Sequence, residues 1–389
     1  MNNFNFYNPT KIIFGKGTVG EIGKEIRMRN VKKVLLLYGK ESIFKNGVYD
    51  NVIKSLKENG VEYAELGGVK PNPVLSKILE AVEVARKENV GAILGVGGGS
   101  VIDSAKVIAA GCIYEGDIWQ AFEGKVTLDE SLPVFSVLTL SATASEMNAF
   151  AVVTKEDEKK KWPFSAGDSS YPAVSIIDPA VQTTLPVEQT VNGAVDAIAH
   201  VLELYFDGSD NTDLQDELAE GMIRNIMTHV KVLIEDPENY NSRAELAWTA
   251  TLALNGLNGT GRSGGDWATH TLEHSLSAYY DIAHGAGLSI VMPAWMKYVY
   301  SEKPERFAKF ASRIFGISNG SQEKTAVEGI EKLKSFFAEI GAPTSLKEVD
   351  IPENMIPELA ANAALRSPFG SLKKIDNEAA GEIFKLAYS

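Results

Sequence analysis

The sequence predicts an α/β N-terminal half followed by an all-helical C-terminal half. Three observations carry the prediction. Between residues 32 and 112, short apolar runs alternate with segments whose apolar residues recur at helical spacing. One of those runs ends in consecutive glycines that open onto a helix. From about residue 184 helical periodicity continues to residue 365 with no convincing strand.

KKVLLLYG (32–39) reads as a buried strand ending in glycine. Residues 43–58 carry apolar positions at helical spacing, and VEYAEL (61–66) reads as a second strand. Residues 74–88 form an amphipathic helix, GAILGVGGG (91–99) a third strand, and 100–112 the helix that follows. This β-α-β-α-β-α order is the mark of a parallel sheet covered by helices on both faces. PVFSVLTL (133–140), FAVVT (150–154) and AVSIIDP (173–179) add strands. The charged run 155–161 reads as a solvated hairpin tip, with Lys161 at its end able to reach inward. Helical segments then follow at 187–206, 212–235, 241–259, 286–300, 303–315, 323–340 and 353–365. Pro186 is placed to open the first of them. The sequence thus divides into a domain of residues 1–185 and a domain of residues 186–389.

A chain of 389 residues exceeds what one core usually supports, which agrees with two domains. The net charge of −13 argues against a nucleic-acid or anionic-membrane surface. The single cysteine, Cys112, excludes a disulfide within the chain and reads as a small buried residue. The N-terminus lacks the basic and apolar regions of a signal peptide, and no apolar run is long enough for a transmembrane helix. These features point to a cytoplasmic protein.

GVGGGSVIDSAK (95–106) joins a strand to a helix. Its glycines would let a phosphate approach the backbone N–H groups, and the helix N-terminus behind them favours an anion. Ser100 is the expected N-cap, with Asp103 at the capping-box position. The pattern is neither G-x-G-x-x-G nor a P-loop, so it names no particular phosphate compound. TLSATASEMN (139–148), after another strand end, is rich in small hydroxyl residues and is a second candidate binding segment.

Four of the five histidines fall into two clusters. Asp196 and His200 are one helical turn apart in an apolar segment; His270, His274 and His284 lie in WATHTLEHSLSAYYDIAHG. A carboxylate with two or three imidazoles suits Zn2+ or Fe2+ rather than Mg2+ or Ca2+. On one straight helix His270 and His284 would stand about 21 Å apart, too far to share an ion. Either His270 and His274 form the pair, or the chain breaks between 274 and 284. His229 stands alone and reads as a surface or packing residue.

GGGSVIDSAK (97–106), the T-x-x-x-T-x-S-E of 139–146, the D-x-x-x-H of 196–200 and the histidines at 270, 274 and 284 occur together and in order. With them the chain resembles the iron-dependent (group III) alcohol dehydrogenase family over nearly its full length, within the branch of butanol dehydrogenases and aldehyde reductases. The resemblance implies a dehydroquinate synthase-like fold: an α/β nucleotide-binding domain, an all-α metal-binding domain and an active site in the cleft between. It implies Asp196, His200, His270 and His284 as metal ligands, with His274 beside the nicotinamide and the substrate. Gly97, Gly98, Gly99 and Ser100 would hold the pyrophosphate and Asp103 would lie near the nicotinamide side. Thr139, Thr143, Lys161 and Leu185 would line the rest of the dinucleotide site.

Two departures from the family pattern stand out. Ala142 replaces a glycine in LTLSAT (138–143). After the first strand, where NAD-preferring members carry an Asp, the chain reads Tyr38-Gly39-Lys40-Glu41-Ser42. Without that carboxylate a 2′-phosphate is not repelled, and Lys40 or Ser42 could bind it, which favours NADP over NAD. The expectation is a metal-dependent enzyme, holding Fe2+ or Zn2+, that interconverts small aliphatic alcohols and aldehydes as a homodimer. His274 is the candidate proton relay. The competing readings are a glycerol dehydrogenase-like polyol oxidation, a lyase or cyclase of the dehydroquinate synthase type, and a metal-stabilised nucleotide-binding protein without catalysis.

Overall fold

Strands rich in Val, Ile and Leu that are buried on both faces belong in the middle of a parallel sheet, and the chain places them there. The computed structural model describes residues 1–318 and 320–389. In chain order the first part holds β1 (Lys11–Phe14), α1 (Ile22–Met28), β2 (Lys33–Tyr38), α2 (Ser42–Lys45), α3 (Val48–Glu58), β3 (Glu62–Leu66) and α4 (Leu75–Lys87). It continues with β4 (Ala92–Gly97), α5 (Gly99–Ile113), α6 (Trp119–Phe122), β5 (Val134–Leu138), β6 (Ala151–Lys155), β7 (Lys160–Phe164) and β8 (Val174–Ile177).

Six of these strands form one parallel sheet in the order β1-β8-β5-β4-β2-β3, and β6 pairs with β7 as a separate antiparallel hairpin. Leu36 pairs with Leu94 and Gly97 with Leu138, so the carboxyl ends of β2, β4 and β5 lie side by side. Alternate residues feed opposite cores: Leu35 and Ile93 pack with Ile108 on one face, Leu36 and Leu94 with Ile26 and Val52 on the other.

Three local differences from the sequence reading have physical reasons. The expected helix 43–58 is two helices, because Gly47 adopts φ 76° between α2 and α3. β1 escapes a periodicity search because it is a short strand completed by a distant partner, β8, and β7 because its KKWPF sequence lacks an apolar alternation. Cys112 is half-buried rather than buried.

The second part holds α7 (Val187–Tyr205), α8 (Asp213–Glu235), α9 (Tyr240–Ala253), α10 (Ala268–Tyr280), α11 (His284–Val299), α12 (Pro304–Phe315), α13 (Gln322–Glu339), α14 (Ile356–Ala363) and α15 (Asn377–Tyr388). Among the described residues no strand follows β8, and no helix is long and apolar enough to cross a membrane. The contacts divide the chain into two units. One comprises residues 7–186 with 236–251, the other residues 1–6, 187–235 and 252–389. Most of α9 therefore groups with the sheet, where Ala247 packs on Ile102, Leu138 and Ile177.

α7 is the central rod of the helical unit, buried without interruption from Gly193 to Tyr205. Its apolar character is what a helix surrounded by other helices requires.

Candidate metal centre and nucleotide-binding loop

α7 presents Asp196 and His200 on one face, with His200 Nε2 3.6 Å from Asp196 Oδ1. α10 brings His270, whose Nε2 lies 3.9 Å from the same oxygen. α10 then stops. Asp281 takes a left-handed conformation (φ 52°), the chain passes through Ile282 and Ala283, and His284 opens α11. That turn carries His284 Nε2 to 3.6 Å from Asp196 Oδ1. Of the two arrangements the spacing allowed, the chain adopts the broken one. His274 stands half-buried to the side, its ring centroid 6.5 Å from that of His270 and 5.7 Å from that of His284.

Separations of 3.6–3.9 Å are too long for hydrogen bonds. Asp196 Oδ1 and His270 Nε2 are buried, and neither has a hydrogen-bond partner. Stranding such atoms costs on the order of 1–3 kcal/mol each. Donors that each lie about 2.0–2.2 Å from one ion stand roughly 3.3–3.6 Å apart at tetrahedral angles, close to the separations found. Asp196, His270 and His284 bring ligand atoms within 4.8 Å of one another and fit a single divalent transition metal, with His200 on the far side of the same carboxylate oxygen.

The electrostatics agree. Burial acts to raise the Asp196 carboxyl, but the three imidazoles around it hold it well below the usual carboxylate range. Burial brings His200 down to about 4 against the pull of Asp196, so its ring is neutral, the form that ligates. Burial also works to lower His270, but Asp196 and Glu203 outweigh it and lift the ring to about 9. Cation binding there displaces a proton.

The glycine turn is built differently from the sequence expectation. Gly98, not Ser100, is the N-cap of α5, and no side chain caps that helix. Asp103 does not close a capping box: it accepts from Ser145 Oγ at 2.6 Å and from the Val152 N–H at 2.9 Å. The glycines also have a packing reason. A Cβ on Gly99 would come within 2.3 Å of Thr143 Oγ1, and one on Gly97 within 2.5 Å of Val101. What still favours an anion is the uncapped start of α5, where the first N–H groups have no partner within the helix.

The 139–150 loop is pinned over this turn. Thr139 N donates to Gly97 O at 3.0 Å, and Thr143 Oγ1 accepts from Ser145 N at 3.1 Å. Lys106, fully buried and lowered by burial to about 8, donates to Asn148 Oδ1 at 3.0 Å and Phe150 O at 2.6 Å. Thr251 Oγ1 donates to Glu146 Oε1 at 2.6 Å, and burial lifts that carboxyl above its ordinary range. Gly39 leaves β2 beside this turn, with Lys40 exposed and Ser42 opening α2. Lys161 is buried in the β6–β7 hairpin and donates to Asn72 Oδ1 at 2.9 Å; Leu185 is half-buried after β8, its N–H on Gln182 O at 3.2 Å.

Comparison with known proteins agrees with both halves. Residues 9–179 match the family described as iron-containing alcohol dehydrogenase, and residues 190–388 its C-terminal counterpart. The chain belongs to the iron-containing alcohol dehydrogenase family. It is 41% identical to a probable NADH-dependent butanol dehydrogenase of Bacillus subtilis over the whole of both chains. It is 37% identical to an NADPH-dependent aldehyde reductase of Escherichia coli, over 92% of each chain. The crystal structure of an NADH-dependent butanol dehydrogenase from Thermotoga maritima superposes with a TM-score of 0.98 at 55% identity, covering 100% of this chain and 99% of that one. The fold is accordingly the dehydroquinate synthase-like one of this family, with an α/β N-terminal part and a helical C-terminal part.

Two acids beside these histidines were not singled out from sequence. Glu203 accepts from His270 Nδ1 at 3.1 Å, and Glu273 is hydrogen-bonded to His284 Nδ1. Both side chains are wholly buried. A carboxylate inside an apolar helix segment such as AHVLELYF was the available signal, because a charge is rarely buried without a partner.

Proposed function

We propose that the protein interconverts small aliphatic aldehydes and their primary alcohols, butanol-like ones included, by hydride transfer with a nicotinamide dinucleotide. In this reading Asp196, His200, His270 and His284 hold one divalent cation, Fe2+ or Zn2+. The observation that carries it is the convergence of three imidazole Nε2 atoms on one buried, otherwise unpartnered carboxylate oxygen. When bound, such a cation acts as a Lewis acid toward the substrate oxygen. Residues 1–185 serve as the dinucleotide-binding domain and 186–389 as the metal-binding domain. The protein acts as a cytoplasmic homodimer, a part of the reading that rests on family likeness and charge balance.

The dinucleotide is assigned to Gly97, Gly98, Gly99, Ser100, Asp103, Thr139, Thr143, Lys161 and Leu185. Asp103 contributes by tying down the 139–150 loop through Ser145 and the start of β6 through Val152. NADP is the preferred form in this reading: Gly39 offers no charge against a 2′-phosphate, and the exposed Lys40 with Ser42 supplies donors. The relatives divide on this point, so the preference is measured directly. Butanal mixed with the metal-loaded protein should lower the absorbance at 340 nm with a higher kcat/KM for NADPH than for NADH. Chelation should abolish the change, and Fe2+ or Zn2+ should restore it. A loaded protein that oxidises neither cofactor would overturn this reading.

His274 is assigned the proton relay to the substrate oxygen. It is half-buried, and it is not among the imidazoles converging on Asp196. His274→Phe should lower turnover by roughly 100- to 10,000-fold, the usual reach of general acid–base catalysis. Metal content should not change. Loss of metal from this variant would make His274 a ligand and end the assignment.

A further inference from the structure

Imidazole can bind a metal through only one nitrogen at a time, so something must decide which nitrogen faces Asp196. A neutral ring has one N–H and one lone pair, and an ionised carboxylate can only accept. A carboxylate on Nδ1 therefore keeps the proton there and leaves the Nε2 lone pair free. We infer that Glu203 and Glu273 are positioning residues that fix the Nε2 lone pairs of His270 and His284 on the metal site, and that Gly287 makes room for Glu273. This rests on the ligand set proposed above and goes beyond it.

Glu203 sits on α7, three residues past His200, and reaches the first turn of α10. Beside His270 Nδ1, its Oε1 accepts from the Thr269 N–H at 3.0 Å, the His270 N–H at 3.2 Å and the Thr269 hydroxyl. Its Oε2 accepts from the Trp267 N–H at 2.6 Å. Those N–H groups satisfy the carboxylate oxygens at a helix N-terminus. One side chain thus anchors the start of α10 and orients the ligand that the helix carries.

Glu273 does the same for α11. Ser277 Oγ donates to Glu273 Oε1, and Oε2 faces His284 Nδ1. Gly287 lies three residues past His284. A Cβ there would stand 2.6 Å from Glu273 Cγ and 2.9 Å from Oε1. The second glycine of HGAG thereby gains a purpose that no turn geometry supplies.

The third imidazole makes the contrast. His200 Nδ1 is buried without a hydrogen-bond partner. It shares α7 with Asp196, so helix geometry alone brings the pair together. His270 and His284 come from other helices, and these are the two that carry an acid.

The test is Zn2+ affinity, measured by competition with a chromogenic chelator, together with thermal stability in excess chelator. The proteins compared are wild type, Glu203→Ala, Glu203→Gln, Glu273→Ala, Glu273→Gln, Gly287→Ala and Asp196→Asn. The Ala variants should bind Zn2+ roughly 10- to 100-fold more weakly. The Gln variants should fall closer to wild type, because an amide oxygen still accepts from Nδ1–H. Gly287→Ala, which leaves Glu203 and its contacts in place, should weaken Zn2+ binding in the same direction as Glu273→Ala, and it carries the test if a Glu variant fails to fold. Wild-type affinity in the Glu273 and Gly287 variants, with only metal-free stability lowered, would reduce the acids to packing and overturn the inference. Undiminished Zn2+ binding in Asp196→Asn would instead overturn the ligand set itself.

Discussion

Replacing Asp196 by Ala should give a folded protein that retains neither Fe2+ nor Zn2+ and turns over at least roughly a thousandfold more slowly. The magnitude follows from the several kcal/mol a Lewis acid contributes, at about 1.4 kcal/mol per factor of ten. Asp196 is the hub: its Oδ1 lies 3.6, 3.9 and 3.6 Å from the Nε2 atoms of His200, His270 and His284. The second group of candidate ligands, Glu273 with His274 and His284, lacks Asp196 and His270. The fold should survive, because Asp196 Oδ1 makes no hydrogen bond that the substitution would break. Added Zn2+ should raise the thermal stability of the wild type by mass action and leave that of Asp196→Ala unmoved. Metal analysis, turnover and paired melts with and without Zn2+ check the three parts. Near-wild-type metal content in the variant would remove the centre from the explanation of activity.

The parts of this molecule that were legible in the sequence are those specified locally. An apolar run ending in glycine, followed by an amphipathic segment, reports β4 and α5 because both patterns lie within about a dozen residues. The Asp196–His200 pair was legible because a four-residue spacing fixes one helical face. The break between His274 and His284 was visible only as a possibility. Whether Asp281 enters the left-handed region depends on α10 and α11 packing against α7, which spacing does not encode. β1 was hidden for the same kind of reason, since KIIF becomes a strand only by pairing with β8, more than 150 residues away. The glycine turn was read correctly as a tight strand-to-helix junction, but for an incomplete reason. Thr143 and Val101 demand Gly99 and Gly97 before any ligand does. Glu203 was legible as an acid inside an apolar helix segment, but its partner was not, because the imidazole comes from another helix; Glu273 has no such apolar setting in the sequence.

Replacing Asp216 by Asn should cost about 3–5 kcal/mol of stability at neutral pH, the usual result of removing one side of a buried ion cluster. Asp216 lies in the first turn of α8 with its side chain 3% exposed. It accepts from Arg262 at 2.8 Å, from both terminal nitrogens of Arg306, and from Lys309 at 2.6 Å. Arg262 is wholly buried, so an Asn would deprive its guanidinium of the carboxylate it is hydrogen-bonded to. Arg306 also stacks on the Tyr205 ring at 3.7 Å, which ties the cluster to the end of α7, the helix that carries Asp196 and His200. Burial acts to raise the Asp216 carboxyl, but Arg306, Lys309 and Arg262 hold it far below the usual carboxylate range. A carboxyl lowered on folding stabilises the protein above its unfolded pKa, about 3.9, and that contribution fades as pH falls toward the folded value. The difference between wild type and Asp216→Asn should therefore stay constant from pH 8 down to about pH 5 and narrow below about pH 4. Urea unfolding of the two proteins across that range measures it. A difference that instead grew in acid would mean that the cluster's cations, not Asp216, set the energetics of this corner of the helical unit.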